Sequence, residues 1–130
     1  MLRSPNAEER TSIRFYMDRG YRHREYGRND PYSRNVSSLI SIDSAYSSIL
    51  PDALSRTPET AQVFVDKNEP LKLRVFVDRS VVEVFVNGRQ CLAIRVYPGR
   101  EDSVGVSLQS RGRDATLRSL DAWQMKSIYV

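Results

Sequence analysis

Two carboxylates, Asp78 and Glu83, fall within the stretch LRVFVDRSVVEVFVNGRQ (Leu73–Gln90). A pair of carboxyl groups can divide acid and base work across an acetal bond. One protonates the leaving oxygen, and the other attacks or activates water, at separations of about 5–5.5 Å or about 6.5–9.5 Å according to stereochemical outcome. Such a pair needs one member held protonated by burial or by a neighbouring like charge. Asp78 precedes Arg79, which favours its ionised form, and no second titratable group is expected beside Glu83. Both side chains alternate out of phase with the valines around them. They are therefore expected on the polar face of a hairpin, diagonal to one another at about 7–8 Å, facing solvent or a partner. No catalytic residue is assigned in this chain.

Other chemistry-bearing residues are few. Cys91 is the single cysteine and His23 the single histidine. No internal disulfide can form, and the multi-ligand N/S spacings of structural metal sites are missing. No metal and no cofactor is expected. RGYRHREYGR (Arg19–Arg28) interleaves bases with aromatics, as nucleic-acid-binding loops do. Asp18, Glu25 and Asp30 dilute its field, and tyrosines covering a sheet edge explain it as well. Phe76 and Phe85 lie out of phase with the valines. With Arg74 they are candidates for a contact face, unless a second layer covers them. Trp123 is either a core anchor or a platform on which a sugar ring could stack.

These residues depend on β-strands. In LKLRVFVD, Leu71, Leu73, Val75 and Val77 share one face. In VVEVFV, Val82, Val84 and Val86 do so. A two-residue turn at Arg79-Ser80 pairs Val77 with Val82, Val75 with Val84 and Leu73 with Val86. A slip of one residue would lose every apolar match. Asn87-Gly88 marks the next turn. A two-residue loop there sends Cys91 and Ala93 to the core. A three-residue loop sends Leu92, Ile94 and Val96, which buries larger side chains and is preferred.

The rest of the chain adds strands at Ile13–Met17, Val36–Asp43, Ala61–Asp66, Ser103–Ser110 and Ala115–Val130, with a long loop over Ile49–Thr60. Short alternating runs separated by turn signals predict an all-β fold, an antiparallel two-sheet β-sandwich forming a single domain over residues 1–130. A net charge of +4, from 17 Arg and 3 Lys against 16 acids, demands no anionic partner. No apolar run reaches transmembrane length, so no membrane partner is expected, and MLRSPNAEER has no signal-peptide stretch. The cellular compartment stays open.

The second half resembles a known module. Phe76–Phe85 (FVDRSVVEVF), Arg95–Pro98 (RVYP) and Leu120–Met125 (LDAWQM) occur in order and at the spacing of the C-terminal β-sandwich of glycoside hydrolase family 32, the β-fructosidase, invertase and levanase family. The resemblance is tightest over residues 70–128 and looser over Thr11–Thr60. It implies a two-sheet sandwich attached to a catalytic five-bladed β-propeller that hydrolyses β-fructofuranosyl bonds of sucrose or fructans.

The catalytic motifs of that propeller are N-D-P-N-G, R-D-P and E-C. The last two are absent here, and Asn29-Asp30-Pro31 is followed by Tyr32-Ser33. The resemblance thus implies a non-catalytic module that supports the propeller. It also starts part way into the module, so the first strands are expected to be missing and the chain N-terminally incomplete. Exposed strand edges would follow, and with them a homo-oligomer. A fructan-binding module is the alternative, and nucleic-acid binding through residues 19–28 the weakest reading.

Overall fold

The structure is a computed structural model and describes residues 1–20 and 37–129. It contains eight strands: β1 (Leu2–Arg3), β2 (Arg10–Tyr16), β3 (Ser38–Tyr46), β4 (Glu59–Val63), β5 (Leu73–Asp78), β6 (Val81–Val86), β7 (Gln90–Arg95) and β8 (Gly105–Val106). They form two antiparallel sheets, one ordered β4-β3-β2-β1-β8 and the other β5-β6-β7. The all-β, two-sheet sandwich expected from the sequence is what the chain forms. No helix occurs among the described residues, and none is long and apolar enough to cross a membrane.

The central hairpin has the register that its valines dictate. Leu73 faces Val86, Val75 faces Val84 and Val77 faces Val82. Arg79 closes the turn with φ at 51°. The following turn uses the three-residue solution: Val86 faces Gln90, Val84 faces Leu92 and Val82 faces Ile94. Asn87 and Gly88 both adopt left-handed backbone, at φ 50° and 66°, and Arg89 N–H donates to Val86 O. That geometry matches the right-handed twist of the flanking strands and suits an Asn-Gly pair. Asn87 also ties the turn to the chain before β5. Its Oδ1 accepts from Lys72 N at 2.7 Å, and its Nδ2 donates to Pro70 O at 3.2 Å.

The core is the space between the sheets. Ile40, Ile42 and Val63 meet Val82, Val84, Val86, Leu92, Ile94 and Val96, with Ile13 and Phe15 packed against them. β3 supplies the middle of this layer because β2 and β4 flank it. Its two isoleucines share a face with Ser38 and Ser44, which are also buried. Buried hydroxyls need partners: Ser38 Oγ accepts from Asp18 N, and Ser41 Oγ, on the opposite face, accepts from Thr60 Oγ1.

Several boundaries differ from the sequence expectation. β2 starts at Arg10 and stops before Met17, which is exposed. β4 spans Glu59–Val63 rather than Ala61–Asp66. β3 runs on to Tyr46, while Val36 lies outside the described residues. The expected strand at Ser103–Ser110 shrinks to Gly105–Val106, extended by the reciprocal hydrogen bonds between Met1 and Ser107. The expected strand at Ala115–Val130 does not form: residues 107–129 contain no strand and are exposed apart from the half-buried Ser107. Alternation alone gives a strand only where a neighbour supplies the ladder, and β8 pairs with β1 alone.

Candidate functional surface

Asp78 and Glu83 sit on the outer face of the β5–β6 hairpin. Asp78 is opposite Val81 and Glu83 opposite Phe76. Among the described residues no hydrogen bond or ion pair joins them. The strand pairing keeps them diagonal, as the alternation implied, and leaves each without the partner that acid–base work requires.

The same outer face carries Arg74, Phe76 and Phe85. Arg74 lies opposite Phe85 across the ladder. The two phenyl rings meet edge to face, with centroids 5.8 Å apart and planes at 90°. This arrangement sets the positive edge of one ring against the negative face of the other. Phe76 remains exposed, and so does Cys91, opposite Phe85 on the next strand. No second layer covers this face in the described chain. The three contact candidates are thus brought together as one small patch.

Trp123 is separate from them. It lies in the strand-free segment and is 81% exposed, so it anchors no core here. The Arg/Tyr-rich stretch contributes Arg19 and Gly20 only; its remainder, with His23, lies outside the described residues. Among the described residues no group of three His, Cys, Asp or Glu side chains could hold a metal ion.

One carboxylate that sequence reasoning missed organises the loops near Val77 and Arg79 of the hairpin. Glu9 is buried at the start of β2. Its Oε1 accepts from Ile49 N–H at 2.9 Å and Gly99 N–H at 2.6 Å; its Oε2 accepts from Arg100 N–H at 3.2 Å and from the Ser103 hydroxyl. Burial pushes its pKa up, but the hydrogen bonds from Ser103, Ile49, Gly99 and Arg100 together outweigh it, and the net direction is down. With two donors on each oxygen, the group is a saturated anchor, not a poised acid. It binds the 49–50 and 98–103 loops to the β1–β2 connection.

Gly99 is required in this anchor by close approach. A Cβ there would meet Leu50 Cγ at 2.9 Å and Ile49 Cγ1 at 3.0 Å. Arg100 adds an exposed layer outside Glu9. Its guanidinium reaches Asp102 through two bonds of 2.6 and 2.7 Å and Glu8 at 2.8 Å. The Asp102 hydrogen bond is the main cause that raises the Arg100 pKa, as it lowers that of Asp102. Nothing in the Glu8-Glu9-Arg10 run distinguishes Glu9 from Glu8. Only the fold separates them.

The two-sheet sandwich has relatives among known proteins. The model of the family described as "Glycosyl hydrolases family 32 C terminal" matches residues 1–124. The "Beta-fructofuranosidase, insoluble isoenzyme 2" of Daucus carota is 37% identical over 94 residues, covering 68% of this chain and 16% of the relative. The "Beta-fructofuranosidase, insoluble isoenzyme CWINV1" of Arabidopsis thaliana is 31% identical across the whole chain, which covers 21% of it. The "Fructan 6-exohydrolase" of Beta vulgaris is 36% identical over 52% of this chain and 12% of its own length. The chain thus spans about a fifth or less of the relatives it matches. On the family match over 1–124, the chain belongs to the C-terminal domain family of the family 32 glycosyl hydrolases.

Proposed function

We propose that this chain acts as a non-catalytic β-sandwich module of a β-fructosidase-type enzyme. It would buttress a catalytic β-propeller and carry contacts between copies of the chain. The parent enzyme would hydrolyse β-fructofuranosyl bonds of sucrose or fructans. The family match over residues 1–124 carries this reading. Two features support the non-catalytic part. Asp78 and Glu83 are not joined in one site, and the buried carboxylate, Glu9, has all its acceptor capacity directed at loops. Arg74, Phe76 and Phe85 form the contact patch. The purified chain should release no fructose from sucrose or levan; measurable release would overturn the proposal.

A second reading is favoured by the exposed indole of Trp123. A free aromatic face can stack on a sugar ring, which would make the chain a fructan-binding module. Titration calorimetry with inulin or levan oligomers separates the readings. Heat that disappears in Trp123→Ala supports binding through this residue, and no heat at millimolar ligand removes it.

A further inference from the structure

The sandwich is covered unevenly. On the three-stranded sheet the inward residues of β6, Val82, Val84 and Val86, are all 0% exposed. Their direct cross-strand partners on β5 are not: Leu73 is 42% exposed, Val75 39% and Val77 56%. Among the described residues β5 is an edge, with β6 as its one neighbour. Its backbone polarity is directional. The closing pair of a two-residue hairpin exchanges both of its hydrogen bonds, so Asp78, and with it Phe76 and Arg74, bonds toward β6. Lys72 continues this parity, since both its N–H and its C=O bond to Asn87. The N–H and C=O groups of Leu73, Val75 and Val77 therefore point to the free side.

We infer that β5 pairs with β5 of a second copy, joining two three-stranded sheets into one continuous antiparallel sheet. This inference rests on the homo-oligomer part of the function proposed above and gives it a location. A two-fold axis through Val75 sets Val75 against its own copy and Leu73 against the second copy's Val77. Both are pairs of the same parity as the free backbone groups, and each exchanges two hydrogen bonds. The exposed apolar faces become one row.

On the outer face the same register places Arg74 against the second copy's Phe76, and Lys72 against its Asp78, so opposite charges meet at both ends. A slip of one residue turns the apolar row outward. A slip of two sets Leu73 against Arg79, which has left the strand at φ 51°. The sequence LKLRVFVD thus fits its own copy best about Val75.

Sedimentation velocity of the full chain at tens of micromolar should show a dimer. Val75→Lys brings like charges together on the axis and should sediment as a monomer with an unchanged β-type circular dichroism spectrum. Leu54→Ser, in an exposed loop away from this edge, should stay dimeric. A monomeric parent chain overturns the oligomer reading together with this inference. A dimer that persists in Val75→Lys overturns the edge alone.

Cross-linking tests the register even where Val75→Lys folds poorly. In a Cys91→Ser background, which removes the exposed native thiol, Arg74→Cys chains mixed with Phe76→Cys chains should oxidise to a mixed disulfide several-fold faster than either does with itself. Equal rates, or no cross-link, would sink the pairing.

Discussion

The two flanks of this sandwich are held in different ways. At the flank where β4 lies beside β7, polar side chains cross from one sheet to the other. Gln90 Nε2 donates to Gln62 O at 2.9 Å, and Arg89 Nη1 donates to Phe64 O at 2.9 Å and to Glu69 at 2.7 Å. At the β5 flank no side chain of β5 itself does so among the described residues; the links there run from Glu9 to Gly99, Arg100 and Ser103 and from Arg100 to Glu8. A cleft beside β5 is lined by Leu2, Glu9, Thr11, Val77, Val82 and Ser103. One flank is sealed by several replaceable exposed links. The other depends chiefly on one buried carboxylate, with the exposed Arg100–Glu8 pair outside it, and leaves apolar β5 surface in water. The load on each residue should differ accordingly.

The largest effect is expected at Glu9. Glu9→Ala leaves the Ile49, Gly99 and Arg100 N–H groups and the Ser103 hydroxyl without their acceptor. A fully buried donor left unsatisfied costs about 1–3 kcal/mol, and these four are part-buried. Water entering the space recovers part of this, so a loss of about 3–5 kcal/mol in urea-unfolding free energy is expected. Arg89→Ala, on the sealed flank, should move the urea midpoint far less, because Gln90 still links the sheets. Equal effects from the two substitutions would contradict the contrast between the flanks.

A step smaller is the contrast within one ladder. Val84 and Val75 face each other, yet Val84 is fully buried and Val75 is an edge residue. Val84→Ala removes two methyl groups from a packed layer and should cost about 2 kcal/mol. Val75→Ala should cost less than about 1 kcal/mol in the monomer. If the β5 edge is paired between copies, the Val75→Ala effect grows with protein concentration and the Val84→Ala difference does not. Urea titrations at two concentrations tenfold apart give both quantities.

How much of this was legible in the sequence depends on what fixed each feature. The β5–β6–β7 register could be read because alternate valines match apolar partners in one β5–β6 pairing, and after Asn87-Gly88 the three-residue loop buries the larger side chains. The strand expected over Ala115–Val130 failed for the converse reason. LRSLDAWQMK alternates too, but a strand needs a neighbour, and residues 107–129 have none among the described residues beyond the hydrogen bonds of Met1 with Ser107. The placing of Arg74, Phe76 and Phe85 on one face followed from parity alone. Glu9 could not be found that way. Its acceptors are filled by residues 40 to 94 positions away in the chain, and three of the four donors are backbone N–H groups, which leave no mark on residue type.

Acid should weaken both flanks below about pH 4.5, with the smallest effect of the set. At the sealed flank the Arg89 hydrogen bond, with the Asp66 N–H, lowers the Glu69 pKa to about 2. A carboxylate with a depressed folded-state pKa contributes stability that is fully present above its unfolded value. That contribution is lost as pH falls through the folded value. For Glu69 the window therefore runs from about pH 4.5 down to about 2. Glu9 is also lowered, so its contribution declines in the same direction below about pH 4.5. Glu69→Gln should flatten the acid limb of the stability curve down to about pH 2 and leave the neutral plateau nearly unchanged, because the pair is solvent-screened. Glu9→Gln should instead lower the plateau itself, since an amide presents one acceptor oxygen where the two carboxylate oxygens serve three loop N–H groups and a hydroxyl. Thermal melts at half-unit steps from pH 7 to pH 2 distinguish these shapes. A plateau lowered in Glu69→Gln as far as in Glu9→Gln would show that the two flanks share their load after all.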